Sequence, residues 1–371
     1  MIKHYQLKKY EKHDITELFI TAVPQRSTAK LQAHEVYTQI AKDLKAHRVN
    51  IFQERVFAAK DAVDSIKELR KDLLGDLTDN VPPSYLICEQ GQTGALCGVQ
   101  IHAVKSNEPA EIIKTDNNIP CGRLFTTPNC LYLGISALSA LDAGSPAKQA
   151  YSMFNQANTI LQSFSSDFLS VPRTWIWLGN ILKWYDQFNQ ARNQFFKENR
   201  ILNTSEHQPM PASTGIGLAP DNGAACAMDL TAVLKPKGQI KYLQAGGRQK
   251  SAFDYGSAFS RASRAPAPIG SNVFISGTAS IDASGKTTNI NNALGQIKDT
   301  IINVKAVLEN MSCSEKDIVQ TMVYCKTKEV EALFRNLAEK PDWPWIPIIC
   351  DICRDNLLFE IEALAHTTRN S

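Results

Sequence analysis

The sequence predicts an α+β protein of three tandem modules that together form a pseudo-trimer. One pattern of strand, helix, strand, helix and strand recurs three times along the 371 residues. Its period of roughly 120 residues is far too long for a solenoid repeat, so each copy should be a small domain of its own. The predicted domains are 1–112, 113–240 and 241–371. Because three similar domains in one chain resemble a fused trimer, we expect functional sites between the copies.

The predicted elements keep the same order in every copy. In the first copy they are 18–23, 35–46, 50–58, 61–74 and 84–104. In the second copy they are 131–138, 147–164, 173–177, 182–196 and 211–233. In the third copy they are 273–281, 292–309, 318–325, 329–338 and 347–365.

Apolar spacing predicts the helices, and short β-branched or aromatic runs predict the strands. The helix at 292–309 has an apolar stripe at steps of 3, 4, 3 and 4, formed by Leu294, Ile297, Ile301, Val304 and Leu308. The helix at 182–196 has a comparable stripe of Trp184, Phe188, Ala191 and Phe195. The strand at 273–281 opens with Val-Phe-Ile-Ser.

Composition and charge argue against several classes of function. The net charge of +3 is too small to indicate nucleic-acid binding. No run of about 18 apolar residues predicts a membrane span, and the first residues lack the apolar core of a signal peptide. Nine cysteines, an odd number, favour reduced thiols and a cytoplasmic location.

Cys350 and Cys353 have the CxxC spacing of metal and redox sites. Within a predicted strand, however, residues three apart point to opposite faces. No second CxxC follows, and the seven histidines lack ligand spacing. We therefore expect no metal. The alternative, a buried strand thiol, holds for Cys350 but not necessarily for Cys353.

Two acidic residues interrupt the apolar strand at 357–365. Glu360 and Glu362 alternate with Ile361, so both carboxylates should lie on one face. A buried ionised carboxylate is costly unless it is paired. At least one of the two should therefore face a polar cavity, where a raised pKa would suit a general acid. A solvated edge strand is the equally weighted alternative.

Polar residues also share one face of the helix at 182–196. Tyr185, Asn189 and Arg192 follow at steps of 4 and 3, and Arg173 comes from the preceding strand. This spacing alone is equally compatible with a solvated face. Further cations in the third copy, at Arg248 and Arg261, favour a pocket for a small dianionic substrate.

The third copy resembles the Rid (YjgF-like) family. The motifs that carry this resemblance are Ala258-Phe-Ser-Arg-Ala262, Phe274-Ile-Ser-Gly-Thr278, Asn303-Val304, Val323-Tyr-Cys-Lys326 and Glu360-Ile-Glu-Ala363. Copies two and three together resemble the chorismatases, which carry a Rid-like C-terminal domain. That match covers 170–366 and rests on Tyr185-x-x-Phe188-Asn189-x-x-Arg192, Pro211-Ala-Ser-Thr214, Arg248-Gln-x-Ser-Ala252, Tyr255-Gly256, Ser276-Gly-Thr-Ala-Ser-Ile281 and Cys353-Arg-x-x-Leu-Leu-x-Glu-Ile-Glu-Ala363.

The resemblance implies three Rid-like, chorismate-mutase-like modules and an enzyme that releases pyruvate from chorismate, without a cofactor. It implies that Glu360 is the general acid, and that Cys353 favours 3-hydroxybenzoate over a dihydroxycyclohexadiene carboxylate. Substrate binding is assigned to Arg173, Tyr185, Arg192, Thr214, Tyr255, Arg261 and Lys326. The partner is then a small aromatic-precursor dianion rather than nucleic acid or membrane, and the chain is a monomeric pseudo-trimer or a homo-oligomer.

Three departures from these families leave two alternatives open. The arginine with which Rid deaminases hold a substrate carboxylate would fall near Pro347. The usual Asn-Pro-Arg-Gln segment of chorismatases is shortened here to Gly247-Arg-Gln, and Lys326 replaces their arginine. A Rid-like enamine or imine deaminase is one alternative, which Pro347 disfavours. A non-catalytic binding protein with a decayed pocket is the other.

Overall fold

The computed structural model describes residues 2–25, 27–202, 208–246 and 249–368. The helices are α1 (Ala29–His47), α2 (Val63–Leu74), α3 (Pro146–Ser163), α4 (Tyr185–Glu198), α5 (Ala293–Asn310) and α6 (Lys328–Arg335). The strands are β1 (Ile2–Lys12), β2 (Ile15–Pro24), β3 (Asn50–Ala58), β4 (Ser84–Ile87), β5 (Leu96–Lys105), β6 (Glu111–Lys114), β7 (Pro120–Thr126), β8 (Leu131–Leu138), β9 (Arg173–Leu178), β10 (Ala212–Ile216), β11 (Ala219–Pro220), β12 (Cys226–Lys235), β13 (Lys241–Leu243), β14 (Ala262–Pro266), β15 (Ser271–Ala279), β16 (Ile318–Cys325), β17 (Trp345–Ile349) and β18 (Phe359–Thr367).

The strands form three six-stranded sheets, which confirms the predicted α+β class and its threefold repetition. The first sheet has the order β1-β2-β5-β3-β4-β11, the second β6-β7-β8-β12-β9-β10, and the third β13-β14-β15-β18-β16-β17. In each sheet one parallel pair (β3 with β4, β9 with β10, β16 with β17) is joined through a helix, as parallel strands require.

The predicted element order is correct in its middle part and wrong at both ends of each copy. The predicted last strands at 84–104, 211–233 and 347–365 are each separate strands with a connection between them. In the third copy the connection runs from 350 to 358. This connection contains the apolar residues Ile352 and Leu357, which are fully buried. The sequence from 347 to 365 therefore resembles one uninterrupted strand. The opening strands β1, β6, β7, β13 and β14 were not predicted.

The helices cover one face of each sheet, and the opposite faces meet in a shared core. Side chains alternate along β2, so Leu18 and Ile20 pack with the helices while Phe19 joins the shared core. The ring of Phe52 from the first sheet stacks on Tyr132 from the second, with centroids 4.6 Å apart. This common core holds the three copies around one centre and brings edges of neighbouring sheets together.

At each of the three junctions between sheets, a residue at the same strand position contacts the neighbouring sheet. Gln53 in β3 donates two 2.9 Å hydrogen bonds to backbone carbonyls of the second sheet. Gln320 in β16 donates two of 3.1 and 3.0 Å to carbonyls of the first sheet. Each glutamine is the sixth residue from the end of its strand, and the same position in β9 is occupied by Arg173. Arg173 instead contacts Glu362 of the third sheet.

The predicted domain boundaries at 112 and 240 stay predictions. β6 begins at Glu111 and pairs with β7 of the second sheet, whereas β11 pairs with β4 of the first sheet although it follows β10 in the chain. Within the described residues, no helix combines the length and the apolar character needed to cross a membrane.

Candidate active site

A cavity of about 160 Å³ lies at the junction of the second and third sheets. The second sheet contributes residues from α4 and β10, namely Tyr185, Asp186, Asn189, Arg192, Ser213, Thr214 and Gly215. The third sheet and its loops contribute Ser257, Phe259, Arg261, Gly277, Ala279, Ile281, Cys353, Arg354 and Glu360. The cavity is therefore built from two copies of the repeated module.

The periodicity of α4 directs its polar residues to this cavity. Tyr185, Asn189 and Arg192 are spaced so that they share one helix face, next to the buried stripe that includes Phe188 and Phe195. Arg192 is only 2% exposed, so this face is not solvated. Burial raises the pKa of Tyr185 well above its ordinary value, and the phenol stays neutral at pH 7.

Besides Asp186 on α4, the cavity lining contains one acidic residue, Glu360. It lies in β18, pairs with Ala279 of β15 and Tyr324 of β16, and is 5% exposed. Burial, and then the negative charge of Glu362, raise the pKa of Glu360 from 4.5 to about 8. A side chain at Gly277 would overlap its Oε1 atom, so the missing Cβ makes room for the carboxyl. At pH 7 this group is mainly protonated and able to donate.

Three arginines give the cavity a positive character. Arg192 Nη2 donates to Asn189 Oδ1 at 2.6 Å. Arg261 Nε and Nη2 donate to the carbonyl of Lys250 at 3.1 and 3.0 Å. Arg354 Nη1 donates to the carbonyl of Gly285 at 2.9 Å. These contacts orient the guanidinium groups, which match carboxylates in geometry and charge.

Cys353 lies in the 350–358 loop beside Glu360, and not in a strand as predicted. The argument that strand geometry separates Cys350 from Cys353 is therefore wrong, because β17 ends at Ile349. Cys350 is buried, whereas Cys353 lines the cavity. Burial, followed by the charge of Glu360, raises the pKa of Cys353 to about 12. Its thiol is neutral at pH 7 and acts as a compact, weakly polar wall.

Two residues assigned to substrate binding lie away from the cavity lining. Arg173 is 1% exposed and donates from Nη2 to Glu362 Oε2 at 2.6 Å. Lys326 lies 3.4 Å from Asp351. It follows the last residue of β16 and lies next to the 350–358 loop. Neither residue lines the cavity, and their substrate-binding role stays a prediction.

Two further predicted contacts fall outside what the structure describes. The backbone of Tyr255 ends the short helix Ala252–Tyr255, but its side chain is not among the described ones. Arg248 lies outside the described residues. The substrate role of Tyr255 stays a prediction.

Asp186 is one charged residue of the cavity lining that sequence reasoning missed, and Arg354 is the other. It follows Cys353 directly, within a segment predicted as strand, where it would point away from its neighbour. The loop instead brings both residues to the cavity. The arginine in the Cys353-Arg motif was the available signal.

The other two junctions lack an acid at the equivalent position. Glu360 pairs with the penultimate residue of β16. The residues that pair with the penultimate residues of β9 and β3 are Ala227 and Gly98. At the first–second junction a cavity of about 570 Å³ persists. There Arg70, which like Arg192 is the eighth residue of its helix, is bound by Glu54 at 2.5–2.9 Å. Among these three positions, only that of Glu360 holds a carboxyl group.

Comparisons with known proteins agree with this architecture. Residues 250–367 match the family model described as Endoribonuclease L-PSP. A curated protein of Streptomyces hygroscopicus, named 3-hydroxybenzoate synthase, is 26% identical over 235 residues, covering 55% of this chain and 65% of that protein. The match thus spans just under two thirds of that relative.

A solved structure extends the likeness to most of the chain. The crystal structure of a chorismatase superimposes with a TM-score of 0.63 at 20% identity, covering 85% of this chain and 93% of the chorismatase. At this identity the match establishes the fold. The chain therefore has the fold of the chorismatases, and its C-terminal third is similar to the family described as Endoribonuclease L-PSP.

Proposed function

We propose that this protein is a chorismatase-like enzyme that releases pyruvate from chorismate, or from a close analogue, and forms 3-hydroxybenzoate. One observation carries the proposal: a buried glutamic acid with a pKa of about 8 lies in a cavity that three arginines line. The curated relative named 3-hydroxybenzoate synthase supports the same chemistry.

Chorismate suits the cavity because it is a dianion with an acid-labile enol ether. Its ring carboxylate and enolpyruvyl carboxylate would be held by Arg192, Arg261 and Arg354. Each charge-assisted contact contributes about 1.5–3 kcal/mol. Tyr185 and Thr214 would complete the wall on the side of the second sheet.

Glu360 would donate its proton to the enolpyruvyl methylene carbon. The new C–H bond leaves an oxocarbenium ion at the ether carbon, and Glu360 becomes a carboxylate close to that cation. Attack by the ring hydroxyl on the cation leads to 3-hydroxybenzoate and pyruvate, which together have the atoms of chorismate. No redox change or external reactant is needed, which agrees with the expectation of no cofactor.

Cys353 would decide between the two outcomes. Attack by water gives a dihydroxycyclohexadiene carboxylate and consumes one water molecule. A neutral thiol beside Glu360 occupies the space from which that water would approach. The ring hydroxyl is then the nearest nucleophile, and the 3-hydroxybenzoate route is favoured.

Imine deamination finds less support in this cavity. The carboxylate-binding arginine of Rid deaminases would fall near Pro347 of β17, which pairs with Val323 in the third sheet. The strand that borders the cavity is β10, which is the counterpart of β17 in the second sheet. The position in β10 that corresponds to Pro347 is Gly215. Neither position carries an arginine.

Pyruvate release from chorismate tests the proposal. Coupling to lactate dehydrogenase follows pyruvate through NADH oxidation, and liquid chromatography identifies the aromatic product. Wild-type protein should give equimolar pyruvate and 3-hydroxybenzoate, Glu360→Gln should be nearly inactive, and Lys326→Met should match wild type. Wild-type protein that releases no pyruvate would contradict the proposal.

A further inference from the structure

A buried ion pair lies directly behind the candidate acid. Glu362 is two residues after Glu360 and shares its face of β18. It accepts a 2.6 Å hydrogen bond from Arg173 Nη2 and one of 3.0 Å from Trp175 Nε1. Arg173 and Glu362 are 1% and 4% exposed. Two opposite charges are thus buried where the second and third sheets meet.

This ion pair breaks the pseudo-threefold pattern of the sheet junctions. At the position of Arg173, the other two junctions have Gln53 and Gln320, which bind backbone carbonyls of the next sheet. A neutral amide connects the sheets at a lower desolvation cost than a buried ion pair. Joining two sheets therefore does not require Arg173 and Glu362. They occur at the junction that holds Glu360.

Hydrogen bonds connect the pair to the cavity wall. Arg173 Nη2 also donates to Thr214 Oγ1 at 2.7 Å. The same oxygen accepts a 2.9 Å hydrogen bond from the backbone N–H of Gly277, the residue against which the Glu360 carboxyl packs. The position of Glu360 is thus linked to Arg173 through Thr214 and Gly277.

We propose, on the basis of the function above, that Glu362 and Arg173 form a positioning pair for Glu360. The negative charge of Glu362 keeps the proton on Glu360 until substrate is bound. Arg173 neutralises Glu362 enough for it to be buried, and holds Thr214 and the Gly277 wall in place. Neither residue touches the substrate.

The charges around Glu360 show why Glu362 is required. Arg261, Arg173 and Arg354 all lower the pKa of Glu360, whereas burial and Glu362 raise it. The other titratable groups near Glu360 are Cys350 and Cys353 of the 350–358 loop, Asp186 and Tyr185 on α4, and Tyr324 on β16. Burial raises the pKa of the two thiols and the two phenols well above neutral. Arg192, on α4, adds a further cation to the lining. Against these cations, the negative charge of Glu362 raises the pKa of Glu360.

The two single substitutions should shift the pKa of Glu360 in opposite directions. Glu362→Gln removes a negative charge and leaves Arg173 unbalanced, so the pKa of Glu360 should fall by about one unit or more. Arg173→Gln leaves Glu362 unbalanced, so the pKa should rise. The double variant R173Q/E362Q reproduces the amide chemistry of the other junctions and should return the pKa to within about half a unit of wild type.

Carbon-13 NMR of the glutamate carboxyl groups in the substrate-free full chain measures this pKa directly, with the signal assigned by Glu360→Gln. Glu331→Gln is the matched control, because Glu331 is 1% exposed and pairs with Arg335 at 2.7 Å on α6. It should leave the pKa of Glu360 unchanged. In these variants, the pH at which kcat/KM falls on the alkaline side should move with the measured pKa of Glu360. Their KM should change less than threefold.

Two outcomes would overturn the inference: an unchanged pKa of Glu360 in both single variants, or an equal shift in Glu331→Gln. Circular dichroism checks that each variant is folded. If Glu362→Gln does not fold, Arg173→Gln and the double variant carry the same comparison. If wild-type protein releases no pyruvate, the proposed function fails, while the NMR titration still decides the role of the pair.

Discussion

Replacing the candidate acid with glutamine should stabilise the protein, and the gain should grow with pH. In the folded protein the pKa of Glu360 is raised from 4.5 to about 8. Between these values the folded state binds the proton more tightly than the unfolded state, so wild-type stability falls as pH rises. Glutamine cannot ionise and avoids this loss. Each pKa unit is worth about 1.4 kcal/mol, which gives about 5 kcal/mol by pH 9 as an upper value.

Urea unfolding of wild type and Glu360→Gln at pH 5, 7 and 9 measures the effect. The difference in the free energy of unfolding should be small at pH 5, larger at pH 7 and largest at pH 9, with equal m-values. Glu331→Gln again serves as the control, because it breaks the pair with Arg335 and should only destabilise. A difference between wild type and Glu360→Gln that is constant across pH would refute the buried, protonated acid.

The remaining predictions concern activity. Glu360→Gln should lower kcat for pyruvate release by about 10²–10⁴-fold with ligand affinity retained, and turnover within threefold of wild type would place the acid elsewhere. Wild-type kcat/KM should fall above about pH 8 as Glu360 loses its proton; a flat profile to pH 9.5 would contradict this. Cys353→Ala should open space for about one water and shift the product toward the dihydroxycyclohexadiene carboxylate, whereas an unchanged product ratio by liquid chromatography would make Cys353 an ordinary wall residue. Arg192→Lys should raise KM by about 10–100-fold through loss of a bidentate contact, and a KM equal to that of Lys326→Met would remove Arg192 from the clamp.

The sequence was sufficient for features that depend on local periodicity. Spacing predicted that Tyr185, Asn189 and Arg192 share one helix face, and the further cations of the third copy favoured a pocket over a solvated face. These three residues line the cavity. Strand alternation placed Glu360 and Glu362 on one face of β18. These predictions succeeded because helices and strands repeat their geometry every few residues.

The sequence could not show which partner each charge would have. Arg173 and Glu362 are 189 positions apart, so only the packing of two sheets reveals that they pair. Because of that contact, Arg173 and Glu362 lie behind the cavity, whereas Glu360 lines it. Loops were the second obstacle: the 350–358 segment contains buried apolar residues and looked like a strand, which concealed Arg354 as a cavity residue.

Deuterium incorporation tests the central claim most directly. Chorismate is supplied to the wild-type protein in D₂O with lactate dehydrogenase and NADH, so that pyruvate is trapped as lactate before its methyl group can exchange. Protonation by Glu360 predicts lactate with one deuterium in the methyl group, formed in equal amount to 3-hydroxybenzoate and nearly absent with Glu360→Gln. Lactate with an unlabelled methyl group, or full activity in Glu360→Gln, would contradict the account.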